Sequence, residues 1–165
     1  MKKVLMVCFM IFCILLSSCA NHFNDNLTDE DFEVSISVDK TTVTTGESVI
    51  VRVTIENKSS KDIKIKLGHT DFSTIEDMIQ IKMFKVGDPK DFIFNSKGGP
   101  LKKFTFKENQ VITKEINFEI NEIGDLEVQG ILFFYTGTNY EKEIILYSDS
   151  IKILVKEWIN YEEII

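Results

Sequence analysis

From Phe32 onward, the apolar residues of this chain recur at every second position. Phe32, Val34, Ile36 and Val38 alternate with Glu33, Ser35 and Ser37 until "KTTVTTGES", with Gly46, breaks the run. Val49, Val51, Val53 and Ile55 then alternate with Arg52, Thr54 and Glu56. After a turn over residues 57–60, Ile63, Ile65 and Leu67 alternate with Lys64 and Lys66. Successive side chains of a strand point to opposite faces, so this period predicts half-buried antiparallel strands. The outward lysines of the third run also suit a sheet edge, where charge discourages pairing with another chain.

The second half continues in kind. Ile79, Ile81 and Met83 alternate, "DFIFN" and "LKKFTF" flank a turn at "SKGGP", and Ile116, Phe118 and Ile120 alternate again. "LEVQGILFFY", residues 126–135, is almost continuously apolar and is expected at the centre of a sheet with both faces covered. Residues 141–147 and 150–156 read as two closing strands, with Ile151, Ile153 and Val155 inward. Ser73 and Glu76 in "STIED" stand at capping-box spacing and predict one helical turn. Strands this short, with turn signals about every ten residues, predict an all-β fold, an antiparallel β-sandwich of about 7–10 strands.

The segment before the alternation has a different character. Met1, Lys2 and Lys3 are followed by "VLMVCFMIFCILL", then Ser17, Ser18 and Cys19. The apolar run of 13 residues gives about 20 Å of helix, short of the roughly 30 Å hydrocarbon thickness, so it reads as an export signal. Leu16-Ser17-Ser18-Cys19 resembles the lipobox of bacterial lipoproteins. That resemblance implies cleavage between Ser18 and Cys19 and a diacylglycerol on the Cys19 sulfur. Two acyl chains anchor stably where one holds only reversibly. Cys8 and Cys13 would leave with the signal, so the exported chain would form no disulfide and no cysteine metal site. The expected organisation is a signal peptide over 1–18, lipidated Cys19 with an acidic flexible tether over 19–31, the sandwich over 32–156, and a tail over 157–165. The acidic spacing Asp25, Asp29, Asp31 and Glu33 reads as a solvated tether rather than as a calcium loop, because the turn glycine and closing glutamate are missing and Glu33 already lies in a strand pattern. Asn57-Lys58-Ser59 fits a glycosylation sequon, a reading that a bacterial lipobox makes idle.

The stretch "TGESVIVRVTIENKSSKDIKI", residues 45–65, resembles the early strands of bacterial immunoglobulin-like modules of the CARDB type. "GDLEVQG", residues 124–130, is similar to their late strand, with Leu126 where a tyrosine is usual. The resemblance implies an immunoglobulin-like sandwich and no particular ligand. A weaker similarity connects the chain to the bacterial intracellular-proteinase-inhibitor family, in which a sandwich presents a loop.

Composition narrows the function. With Lys2 and Lys3 set aside, 17 basic residues stand against 26 acidic ones, a balance of −9. Binding a polyanion requires a basic surface that releases counterions, so neither nucleic acid nor anionic lipid is an expected partner of the domain itself. His22 falls in the tether, and His69 stands beside Asp71 and Ser73 on one segment, where a triad would need separate elements. No catalytic residue, metal ligand or cofactor is expected. Glu141 and Glu143 read as a solvated strand face. Candidate interaction residues are His69, Phe72, Phe92 and Phe94 in the connection from Gly68 to Pro100, and Trp158 and Tyr161 in the tail. The leading expectation is a non-catalytic lipoprotein, held to the membrane through Cys19 outside the cytoplasm, that binds another envelope protein or a wall component. A protease-inhibitor module presenting the 68–100 loop, and a hydrolase built on the carboxylates, are the alternatives.

Overall fold

The computed structural model describes residues 27–67, 73–88 and 102–157. Nine strands form among the described residues: β1 (Phe32–Val38), β2 (Thr42–Thr44), β3 (Ser48–Asn57), β4 (Ile63–Leu67), β5 (Ile79–Lys85), β6 (Lys103–Phe106), β7 (Val111–Glu119), β8 (Gly124–Thr136) and β9 (Lys142–Lys156). They make the two layers of an immunoglobulin-like sandwich. One sheet runs β1-β3-β7; the other runs β2-β9-β8-β4-β6, with β5 also paired to β8. All pairs are antiparallel except β2 with β9, which are parallel. The first two strands belong to different sheets, so the chain crosses between layers at residues 39–41. Asp39 holds that crossing by accepting the Ile50 amide on its carboxylate at 2.8 Å.

The alternation read from the sequence is the core. Val49, Val51, Val53 and Ile55 of β3 are fully buried, as are Ile63, Ile65 and Leu67 of β4. Each such side chain contributes about 1.5–3 kcal/mol on burial. Phe32 closes one end, stacked on Phe106 (ring centroids 6.2 Å apart) and edge-on to Phe134 (5.4 Å). At the same end lies Asn57, wholly buried. Its amide nitrogen donates to the carbonyls of Lys61, Phe106 and Lys107, and its oxygen accepts from the Ser59 amide and hydroxyl. The sequon residue is thus a polar clasp over the β3–β4 turn, since a buried amide must find partners for its donors and acceptor.

Several expectations are corrected. The acidic tether does not extend to residue 31: Leu27 is buried, and residues 29–31 form a 3₁₀ turn capped reciprocally by Thr28 and Asp31. Lys142 donates its ammonium to the Leu27 carbonyl, and the Lys58 amide donates to Asp31 at 2.8 Å. One apolar side chain and these bonds suffice to order five residues that carry no periodicity. The capping box at "STIED" is shifted by one residue, to Thr74 and Asp77, around a 3₁₀ turn at Ile75–Met78. "TVT" within the presumed break is a strand, β2, too short to show a period. β4 is not an edge: it lies between β8 and β6, and its lysines face out of the sheet plane rather than along its side. Glu141 precedes β9 and accepts the Asn139 amide at 2.7 Å, so it closes a turn instead of lining a strand face.

The two closing strands are one. β9 runs unbroken for 15 residues, paired with β8 in a register that shifts between Gln129 and Ile131. Ser148 and Asp149 together oppose Gly130 there, a β-bulge of one extra residue that moves the inward set from Ile144 and Leu146 to Ile151, Ile153 and Val155. Opposite the bulge is Gly130, whose amide donates to the buried Ser148 hydroxyl at 2.9 Å. A Cβ at Gly130 would lie 2.6 and 2.7 Å from the Val53 methyls of the facing sheet. Gly130→Ala is therefore expected to cost about 1–3 kcal/mol in urea unfolding, the usual penalty of overpacking. Adding Val53→Ala should recover part of that loss in a double-mutant cycle, because the two changes share one contact.

Asp77 joins the short turn to the edge strand β7. Burial opposes its ionisation. The Thr74 and Ser73 amides, the Thr74 hydroxyl and the nearby Lys114 ammonium outweigh that, so the carboxyl sits below its ordinary range. Lys114 points inward from β7 and donates to the Ile79 carbonyl at 2.8 Å, bridging the layers. A carboxyl lowered in the folded state contributes stability that is complete above its unfolded value, about 3.9, and is lost as pH falls through the folded value. Urea midpoints are expected to drop on acidification below about pH 4. Asp77→Asn should lower the neutral-pH midpoint while shrinking that drop; an unchanged acid limb would remove Asp77 from the account.

Candidate functional site

The described residues form an open cleft of about 610 Å³ at one end of the sandwich. Two connections build it. After β5, Gly87 adopts φ 95°, a left-handed value open to glycine, and the Asp88 amide returns to the Lys85 carbonyl at 3.1 Å. Across from it, residues 119–122 lead from β7 into β8. That connection is pinned where the Ile120 amide donates to Glu47 (2.9 Å) and the Gly46 amide donates to Ile120 (2.7 Å).

Met83, Ile120 and Leu126 give the cleft an apolar lining, Ile120 and Leu126 being buried. Asp88, Glu119, Asn121, Glu122 and Lys85 supply its polar groups. Lys85 and Glu122 are paired at 2.7 Å. The Glu122 carboxylate, hydrogen-bonded to it, and the charge of Asp88 hold the Lys85 ammonium above its ordinary range. The remaining charge is acidic. Val86 and Ile123, next in sequence to lining residues, are exposed. Apolar surface beside the Asp88 and Glu119 carboxylates suits an apolar side chain flanked by a cation. Among the described residues the lining holds no hydroxyl, thiol or imidazole, and no group of His, Cys, Asp or Glu is placed to hold a metal ion.

The cleft lies far from the point where the chain enters the domain. It is built at Leu126, near the first residue of β8, whereas Leu27 is held by Lys142, which pairs with Thr136 at the last. Leu126 and Thr136 are separated along β8 by about 34 Å at the usual rise.

Ser18, Cys19, His69, Phe72, Phe92, Phe94, Trp158 and Tyr161 all lie outside the described residues, as do "DFIFN" and the "SKGGP" turn. The 68–100 connection proposed for the inhibitor reading is described only over residues 73–88. Sequence reasoning missed the cleft because its residues come from two turns some 35 positions apart. The available signal was an apolar residue within each turn, Val86 before Gly87 and Ile123 before Gly124.

No protein-family model matches this sequence, and no curated protein does. Several solved structures are similar. The CARDB domain of a Pyrococcus furiosus protein, in complex with di-metal ions, is 12% identical with a TM-score of 0.41, over 80% of this chain and 95% of that one. The sporulation control protein Spo0M from Bacillus subtilis is 14% identical with a TM-score of 0.44, over 76% of this chain and 49% of that one. A β-glucosidase from Listeria innocua, in complex with glucose, is 18% identical with a TM-score of 0.40, over 78% of this chain but only 16% of the enzyme. Identity at this level speaks to the fold alone.

Proposed function

We propose that this chain is a lipid-anchored envelope protein whose immunoglobulin-like domain is a non-catalytic binding module. Cys19 moors it outside the cytoplasm, and the cleft at Met83, Ile120 and Leu126 engages an envelope protein or a wall component. The observation that carries this reading is the placement of the two ends. The polypeptide enters beside Lys142, and the cleft opens at the opposite end of β8. An anchor at residue 19 would leave the cleft directed away from the bilayer. The lining supports recognition rather than turnover, since its described residues offer apolar contact and fixed charge but no nucleophile with a base.

Two measurements test it. Palmitate incorporation is expected in the full chain and should vanish in Cys19→Ser; label that persists in the variant ends the anchor. A photo-crosslinking residue at Asn121 on intact cells should yield one discrete adduct, reduced about tenfold or more by the paired changes Val86→Asp and Ile123→Asp, as expected when a central apolar contact is lost. The same probe at Asn109, in the β6–β7 turn, should yield none. No adduct from Asn121, or equal adducts from both positions, would rule out recognition through this cleft.

A further inference from the structure

The opposite end of the domain carries a second arrangement that the cleft does not explain. Across the outer face of the larger sheet, Lys103 of β6 pairs with Lys66 of β4, Lys66 with Tyr135 of β8, and Tyr135 with Glu143 of β9. Like charges directly opposite each other destabilise a sheet. Here both ammoniums lie over one ring, that of Tyr140, at 5.7 Å for Lys66 and 5.0 Å for Lys103. Attraction between a cation and an aromatic face offsets part of the repulsion and holds the two charges together.

Tyr140 itself adopts φ 60° in the β8–β9 turn. That is a left-handed backbone, uncommon for a bulky side chain and strained by comparison with glycine or asparagine. The turn is fixed by Gly137 at φ 98°, by the Tyr140 amide donating to Gly137 at 3.3 Å, and by Glu141 accepting from Asn139. A glycine at 140 would close the same turn without strain. What the tyrosine adds is a ring under two lysines. The acids at this end are partly engaged within the fold: Asp31 accepts the Thr28 amide and Asp62 the Glu108 amide, while Glu143 faces the row from β9.

The chain enters the domain at this same turn. Lys142, two residues after Tyr140, binds the Leu27 carbonyl. Eight positions separate Cys19 from Leu27, a reach of about 16 Å for a flexible chain. We propose that Lys66, Lys103 and Tyr140 contact the phosphodiester headgroups of an anionic leaflet, so that the anchored domain stands on this end. The inference rests on the lipid-anchor reading, because only that places a membrane beside the tether. Two clustered ammoniums and a phenol hydroxyl match a phosphate oxygen set in charge and hydrogen bonding.

The test uses the lipidated full chain in phosphatidylcholine vesicles, with and without phosphatidylglycerol. Acylation of lysines by a water-soluble reagent is read by mass spectrometry, with Lys40 and Lys85 at the far end as internal references. Lys66 and Lys103 are expected to be acylated roughly fivefold more slowly on the anionic vesicles, the factor set by one lysine's attraction to such a surface, with protection lost at high salt. Tyr140→Gly should remove most of the protection while leaving the urea midpoint unchanged or raised. Equal acylation on both vesicles, with the chain still bound to them, overturns this inference alone. Matching protection on neutral vesicles by inorganic phosphate would assign the lysines to a soluble anion and also overturn it. Release of the chain from neutral vesicles by a buffer wash would instead defeat the anchor and take this contact with it.

Discussion

The two sheets can close on each other because residue 130 has no side chain. Gly130 sits on β8, the strand that β9 flanks on one side and β5 and β4 on the other, and it faces Val53 on β3. Any Cβ there would stand well inside contact distance of the valine methyls. The same residue lies opposite the bulge of β9, and its amide is satisfied by Ser148 rather than by a ladder partner. Close approach and bulge are one device. The extra residue at Ser148–Asp149 increases the local twist of the long β8–β9 ribbon where the facing sheet comes nearest. The cleft lies at one end of β8 and the lysine corner at the other, so this contact sits between them.

How much of this was legible follows from what periodicity encodes. Alternation reports which face of a strand is buried, and it located β1, β3, β4 and β7 through residues such as Val49–Ile55 and Ile63–Leu67. It says nothing about lateral neighbours, because hydrogen-bond partners are backbone groups common to every residue. Lys64 and Lys66 therefore looked like edge residues although β4 lies inside its sheet. A change of phase in the pattern is ambiguous as well. Even-numbered apolar residues up to Leu146 and odd-numbered ones from Ile151 fit two strands or one bulged strand, and only the partner strand decides. Asn57 and Leu27 were unreadable for a different reason. Each is a single residue whose role depends on groups 50 and 115 positions away, Lys107 and Lys142.

The candidate site was less legible than the fold. Sequence reasoning weighs residue types that do chemistry or dominate interfaces, so it drew attention to His69, Phe92, Phe94, Trp158 and Tyr161. The cleft is made from ordinary residues of two turns, and their proximity is a product of topology. β7 and β5 belong to different sheets, and their C-terminal ends meet only because the sandwich brings both to the same rim. Composition carried a similar blind spot. A balance of −9, with Lys2 and Lys3 set aside, describes the domain as a whole and argued against anionic lipid as its partner. Local placement is independent of that sum, and Lys66 and Lys103 lie side by side on one face.

On the anchored reading, whole-chain charge and local charge would act together. An acidic body near an anionic leaflet is repelled, and the repulsion is screened over about 8 Å at physiological salt. Beyond that distance the net charge has little effect; within it, only the groups closest to the headgroups count. On that reading a short tether would hold the entry end inside or near this layer and leave the far end, about 34 Å along β8, well outside it. The lysine pair would then be attracted at short range while the acidic remainder of the surface is pushed off. Both effects favour the same pose, with the Tyr140 turn toward the lipid and the cleft outward. A uniformly basic domain would bind such a surface more tightly but with no preferred orientation, and would bury its cleft as often as expose it. On that reading the acidity of the chain would bear on which way the domain points as well as on its solubility.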